Sequence, residues 1–246
     1  MIRLDGLQKA FGDLRVLEGF SLEVETGETV AVIGRSGVGK SVLLKHVAGL
    51  MQPDGGEVWV GEDRVDGASR TEVNRVRLEM GYVFQFAALF DSMTVSQNVG
   101  LALRRHGVPE DEIPGRTRAS LERVGLGGWE DRYPAELSGG MRKRAGVARA
   151  VAPRPRYLLY DEPTSGLDPV TTSMIDELVV ALKEDLKATS IVVTHDLRSA
   201  GRVADRIALL REGRVAWMGT PAEIRETDDP AVRAFVEGRR DLWPGD

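Results

Sequence analysis

The residues with the plainest chemical purpose are Gly34-Arg35-Ser36-Gly37-Val38-Gly39-Lys40-Ser41. Closely spaced glycines let backbone N–H groups wrap phosphate oxygens, and a helix starting there adds a favourable field. A lysine closing such a loop brings positive charge to the β- and γ-phosphates, and the hydroxyl after it can ligate Mg²⁺. Lys40 and Ser41 stand at those places, so the run matches the P-loop pattern. A chance glycine turn would lack the flanks seen here. An apolar strand, Thr29-Val30-Ala31-Val32-Ile33, precedes the loop, and Val42, Leu43, Leu44, Val47, Ala48 and Leu50 give the sequence after it helical spacing up to Met51.

A second group ends another apolar strand. Tyr157-Leu158-Leu159-Tyr160 stops abruptly at Asp161 and Glu162 before Pro163, where strand ends of a parallel sheet face a ligand crevice. Asp161 is the candidate to orient magnesium, and Glu162 the candidate to take a proton from an attacking water, a role worth roughly 10²–10⁴-fold in rate. Alone, such a pair is more often a solvated turn; beside a P-loop the catalytic reading prevails. Gln85 follows Tyr82-Val83-Phe84, again a strand end, and its amide could touch metal or water. His195 closes Ile191-Val192-Val193-Thr194, where an imidazole near a γ-phosphate could help hold the catalytic water; His46 and His106 fit the P-loop helix and a loop. Leu137-Ser138-Gly139-Gly140-Met141 opens a helix: Ser138 is an N-cap candidate, and Gly139 and Gly140 expose donors for a second phosphate-binding edge. The cations that follow, Arg142, Lys143, Arg144 and Arg149, read as a solvated face.

The elements that must position these groups alternate strand and helix, which argues for a largely parallel α/β sheet. Short strands separated by glycine turns come first, as a small antiparallel subdomain. From residue 87 to 150 the strand pattern gives way to helical windows, a helical subdomain inserted in the core. A helix from about Val170 to Lys187 then links two later strands, and residues 229–246 form a C-terminal extension with Val232, Phe235 and Val236 on one stripe.

Composition removes other classes. The chain has 246 residues, 42% hydrophobic and 29% charged, with a formal charge of −5 that gives no basic footprint for nucleic acid. Zero cysteines exclude disulfides, iron–sulfur clusters, Cys-ligated zinc and a thiol nucleophile, and three scattered histidines argue against a multi-histidine site, so any metal is expected among oxygens. Met1-Ile2-Arg3-Leu4 enters strand-like sequence without the order of a signal peptide, and no apolar run approaches the roughly 18 residues of a spanning helix. A cytoplasmic protein is expected, and service to a membrane would need a separate membrane partner.

Taken in order, the P-loop, Gln85, Leu137-Ser138-Gly139-Gly140, Asp161-Glu162, Ser165-Gly166-Leu167-Asp168 and His195 resemble the ATP-binding subunits of ABC transporters across nearly the whole chain. That resemblance implies a P-loop NTPase core forming one nucleotide-binding domain over residues 1–246, with ATP and Mg²⁺ as ligands. It also implies a head-to-tail homodimer. Gly34, Ser36, Gly37, Gly39, Lys40, Ser41, Val42, Gln85, Asp161, Glu162 and His195 would act on one nucleotide, and Ser138, Gly139 and Gly140 on the partner's. Phe11 resembles the aromatic that stacks on adenine, against a reading as a core residue of the small sheet; Val42 replaces a threonine common in relatives.

Residues 88–95, 140–144, 189–196 and 232–238 are similar more narrowly to the Mla-type ATPases, which energise lipid transport with MCE-domain proteins. This implies integral membrane permease subunits, an MCE-domain lipid-binding protein, phospholipid cargo and a place on the inner face of the membrane through the permease. The rival readings are another ABC importer or exporter ATPase, a non-transport ABC protein, and an ATP-binding regulatory module without turnover, which Glu162 and His195 argue against.

Overall fold

The computed structural model describes residues 1–237. The chain forms two compact units: Met1–Val73 with the chain from Thr189 onward, and Asn74–Ala188.

In the first unit, β1 (Ile2–Phe11), β2 (Leu14–Val24), β4 (Gly55–Val60) and β5 (Asp63–Arg64) make an antiparallel sheet in the order β2-β1-β4-β5. Ile2, Leu4 and Leu7 of β1 and Leu17, Phe20, Leu22 and Val24 of β2 are buried. Both strands run longer than expected, because shifts in the β1–β2 register carry the pairing through their polar halves to the Phe11↔Leu14 turn. A second sheet holds β3 (Thr29–Ile33) between β8 (Thr189–Thr194) and β9 (Arg206–Arg211), both parallel to it, with β10 (Arg214–Gly219) antiparallel at the edge. Every residue of β3 is buried, which explains why it reads as an unbroken apolar run.

The P-loop helix, α1 (Lys40–Val47), is shorter than its apolar spacing suggests. Gly49 adopts φ 61° after Ala48, while the Leu50 and Gly49 N–H groups bond back to Lys45 O and His46 O. This closing turn ends the helix and leaves Leu50 exposed. Next come α2 (Arg70–Leu78), which spans the junction in sequence between the units, and in the second unit β6 (Met80–Val83), α3 (Val95–Arg105), α4 (Ile113–Arg123) and α5 (Gly139–Val151). There, β7 (Tyr157–Asp161) pairs in parallel with β6 and leads into α6 (Pro169–Leu186).

The first unit closes with α7 (Leu197–Val203), α8 (Glu223–Glu226) and α9 (Pro230–Val236). Asp229 Oδ1 accepts from Val232 N at 3.2 Å and starts α9. Val232 is buried among Ala31, Ile33, Ile207, Leu209 and Ile224, with Phe235 and Val236 packed against the same cluster. The expected apolar stripe therefore docks on its own subunit. The rest of the extension, residues 238–246, lies outside the described residues, Trp243 among them.

His46 gives this unit a built-in acid sensitivity. It is 1% exposed, with Nδ1 2.9 Å from Met51 O and Nε2 buried without a hydrogen bond. Burial holds its pKa below the usual 6.5, so the unfolded chain binds the proton more readily than the folded one. Stability present above 6.5 is lost as pH falls below it. Urea titrations from pH 7.5 to about 5 should show a fall in unfolding free energy that is shallower in His46→Gln, which removes the titrating ring; parallel curves would show that His46 does not contribute.

Candidate functional site

Within the first unit, the register Ile33↔Thr194 makes the P-loop and His195 leave the same edge of adjoining parallel strands. The loop is shaped by Gly37 at φ 84° and Gly39 at φ 110°, conformations that only glycine adopts freely. At Gly39 a Cβ would also lie 2.5 Å from Val16 Cγ1, so the glycine answers both to conformation and to space. Lys40 Nζ donates to Gly34 O at 2.8 Å and Arg35 O at 2.9 Å, which holds the ammonium inside the loop it serves. Ser36, Gly37 and His195 are exposed, and Ser41 and Val42 half-buried, at this edge. Phe11 stands beside the Gly12 turn, 47% exposed, with Lys9 Nζ 5.7 Å from its ring centre. Its ring is available for stacking, and the core reading of Phe11 is wrong.

The second unit repeats the device. The register Val83↔Tyr160 sends Phe84-Gln85 and Asp161-Glu162 off the same edge of β6 and β7. Asp161 Oδ2 accepts a hydrogen bond from Tyr82 Oη at 3.2 Å. Burial, reinforced by the Asp161 charge, pushes the Tyr82 phenol up, so it remains a donor at neutral pH. Gln85 Nε2 lies 3.5 Å from Ser165 Oγ. Glu162 itself is buried and sits at φ 47°, an uncommon conformation for a residue with a Cβ, and one that recurs at functional sites.

The expectation of a solvated basic face on α5 is corrected here for Lys143, Arg144 and Arg149, while Arg142 is exposed. Arg149 donates from Nη2 to Ala87 O at 2.7 Å and from Nη1 to Ala88 O at 2.6 Å. These alanines follow Gln85 at φ 59° and 48°, so the guanidinium clasps a doubly left-handed turn. Arg144 Nη1 lies 2.9 Å from both Val124 O and Gly125 O, and the Lys143 ammonium bonds Glu162 O at 3.1 Å. Turn carbonyls released from strands or helix ends need donors, and unpaired buried ones cost about 1–3 kcal/mol. The cations of α5 supply them.

At the start of α5, Ser138 caps the helix by accepting from Met141 N at 3.2 Å, while Ser138 and Gly139 remain exposed. Gly140 is buried against α6: a Cβ there would lie 2.5 Å from Thr171 Cγ2. Thr171 cannot readily yield, because its Oγ1 donates to Asp168 Oδ2 at 2.5 Å and its N–H bonds Asp168 Oδ1. Those bonds hold the Asp168 carboxyl below its usual range.

For magnesium, the donor chemistry fits. In the first unit Ser41 offers a hydroxyl, and in the second Asp161 offers a buried carboxylate and Gln85 an amide oxygen, each a hard donor of the kind Mg²⁺ takes with phosphate oxygens. No cluster of three or more His, Cys, Asp or Glu occurs among the described residues, so a preformed all-protein cage is absent there.

Together the fold and these loops define a P-loop ATPase of the cassette type, which carries both the phosphate loop and a signature helix start. Residues 17–165 match the family described as ABC transporter, and the chain belongs to that family. It is an ATP-hydrolysing subunit of an ABC transporter. A probable ribonucleotide transport ATP-binding protein, mkl, from Mycobacterium leprae is 39% identical over 97% of this chain and 69% of its own length. The Arabidopsis thaliana protein trigalactosyldiacylglycerol 3, chloroplastic, is also 39% identical, over 98% of this chain and 74% of its own. The dimeric post-hydrolysis structure of the cassette MJ0796 bound to ADP and Pi superposes with a TM-score of 0.83 at 31% identity, covering 90% of this chain and 99% of that one.

The Gly140 contact yields a direct test. Gly140→Ala should lower the unfolding free energy by about 1–3 kcal/mol through overpacking. In the Gly140→Ala background, Thr171→Ser removes the opposing methyl while keeping the hydroxyl, and calorimetry should show part of the loss recovered. An additive double mutant would show that the contact is not the cause.

Proposed function

We propose that this chain powers lipid transport, working as a homodimer beneath separate permease subunits with an MCE-domain lipid-binding protein as a further partner. In this reading residues 1–246 form one nucleotide-binding domain, held at the inner face of the membrane through the permease. The cargo half rests on the Mla-type resemblance of residues 88–95, 140–144, 189–196 and 232–238. A plant relative whose name contains a glycolipid agrees with it. The mycobacterial relative named for ribonucleotide transport supports the second reading, a different cargo with unchanged ATP chemistry.

The observation that carries the transport reading is the apolar face following Gln85. Phe86 is 85% exposed and Phe90 is 52% exposed, with Phe84 also outward and Leu89 and Met93 half-buried. These are not residues of a subdomain core. Asn98, fully buried, holds the segment open: Oδ1 accepts from Phe90 N at 2.8 Å, and Nδ2 donates to the carbonyls of Phe90, Met93 and Thr94. No helix among the described residues is long and apolar enough to cross a membrane.

At each ATP, Gly34, Ser36, Gly37 and Gly39 present backbone N–H groups to the phosphates while Lys40 adds charge. Phe11 stacks on adenine, and Val42 follows Ser41 at the nucleotide. Ser41, Asp161 and Gln85 would hold Mg²⁺, which would supply positive charge against the phosphate oxygens. Glu162 accepts the proton of the attacking water and His195 helps hold that water. Ser138, Gly139 and Gly140 meet the nucleotide of the other subunit.

Lys40→Ala should weaken nucleotide binding, since charge-assisted contacts are worth roughly 1.5–3 kcal/mol each. Glu162→Gln should bind normally, lose about 10²–10⁴-fold in turnover and accumulate as an ATP-bound dimer on size exclusion. Near-normal turnover of Glu162→Gln would remove the base from Glu162. Isolation of the chain with its native membrane partner, followed by mass spectrometry of bound small molecules, tests the cargo: lipid supports the proposal, nucleosides the second reading. Phe90→Glu should leave ATP binding intact and abolish stimulation by that partner; full stimulation would place the docking face elsewhere.

A further inference from the structure

Lys143 is the basic residue whose placement the ATPase reading leaves unused. It lies on α5 one turn beyond Gly140, is 7% exposed, and directs its ammonium at Glu162 O, 3.1 Å away. The same carbonyl also accepts from Ser165 N at 3.2 Å. The peptide that follows Glu162 is thus gripped from two sides, while Glu162 keeps its left-handed backbone at φ 47°. A side chain whose backbone is fixed in this way has its carboxylate aimed by the peptide, so what holds the peptide sets the aim. A long, flexible lysine is costly to bury and order, and a surface residue on α5 would have kept the helix equally well. The carboxylates of Asp161 and Glu162 favour its charge and oppose the lowering that burial imposes.

We propose that Lys143 is a positioning residue that ties the signature helix to the catalytic carboxylate of the same chain. This rests on the reading of Glu162 as the base. The N-terminus of α5 carries Ser138 and Gly140, which meet the partner's nucleotide in that reading; one turn on, Lys143 holds Glu162, which serves the chain's own nucleotide. A shift of α5 on binding at one site therefore reaches the carboxylate of the other through a single hydrogen bond. The coupling needs no change in nucleotide affinity, because Lys143 touches the peptide that carries the base and not the phosphate loop.

The test compares Lys143→Met, Lys143→Arg and Lys143→Gln in the full chain, with Glu162→Gln measured alongside. Steady-state ATPase, equilibrium binding of a fluorescent ATP analogue and thermal melting are recorded for each. Lys143→Met is expected to lose about tenfold or more in kcat with KM and nucleotide affinity within about twofold of the parent, since small misplacement of a reacting group is expensive. Lys143→Arg, which keeps a charged donor, should restore most of kcat. In single-turnover assays, Lys143→Met should add little to the defect of Glu162→Gln, because it acts through that residue. An unchanged kcat in Lys143→Met overturns the proposal, as does a loss that follows the melting temperature and is not rescued by Lys143→Arg. Should Lys143→Met fail to fold, Lys143→Gln is read by the same criteria. Normal turnover of Glu162→Gln would instead remove the base assignment on which the proposal stands.

Discussion

Each strand that delivers a functional residue ends in a turn, and a turn leaves carbonyl oxygens without the ladder partners a sheet would give them. The rest of this structure depends on how those oxygens are satisfied. Lys40 takes those of Gly34 and Arg35, Arg149 those of Ala87 and Ala88, and Lys143 that of Glu162. Cations do this well because charged donors make roughly twice the bond of neutral ones. The same turns carry the P-loop and His195 in one unit, and Gln85, Asp161 and Glu162 in the other, at the ends of parallel strands.

The two units solve the same problem separately. In one, parallel pairing of β3 and β8 sets the P-loop beside His195; in the other, β6 and β7 set Gln85 beside Asp161 and Glu162. In both, the functional residues come within two positions of the last paired residue, so the apolar strand and the polar end are one continuous signal. That is why these residues were legible in the sequence: an apolar run that stops at a charge is visible without coordinates. Phe11 needed the structure to decide, because an aromatic near a strand end reads equally as core or as platform.

What escaped the sequence is the support behind those ends. Lys143 and Arg149 sit in a helix with Arg142 and Arg144, and neighbouring cations on a helix look like solvated surface; burial is a property of what packs above them. Ala87 and Ala88 carry positive φ that alanine never advertises, and only the clasp by Arg149 explains it. Gly140 could be recognised as a member of a motif, yet the reason for a glycine, the Thr171 methyl fixed by Asp168, comes from residues some thirty positions away. Asn98 reads as an ordinary helical polar residue until its four bonds to the preceding segment are seen. The helix end at Gly49 was missed because apolar spacing continued past it, a case of backbone conformation overriding pattern.

The Asn98 staple has a consequence for the protein as a material in the cell. By fixing the segment in advance, it spares whatever docks there the entropy of ordering it. It pins the backbone at Phe90, whose ring is outward, as is that of Phe86 nearby. A free copy therefore carries a permanent sticky face, and two free copies can satisfy each other by mutual adhesion. If the face docks a membrane subunit as proposed, production in excess of that subunit would favour self-association, and synthesis matched in number and time would keep the chain dispersed.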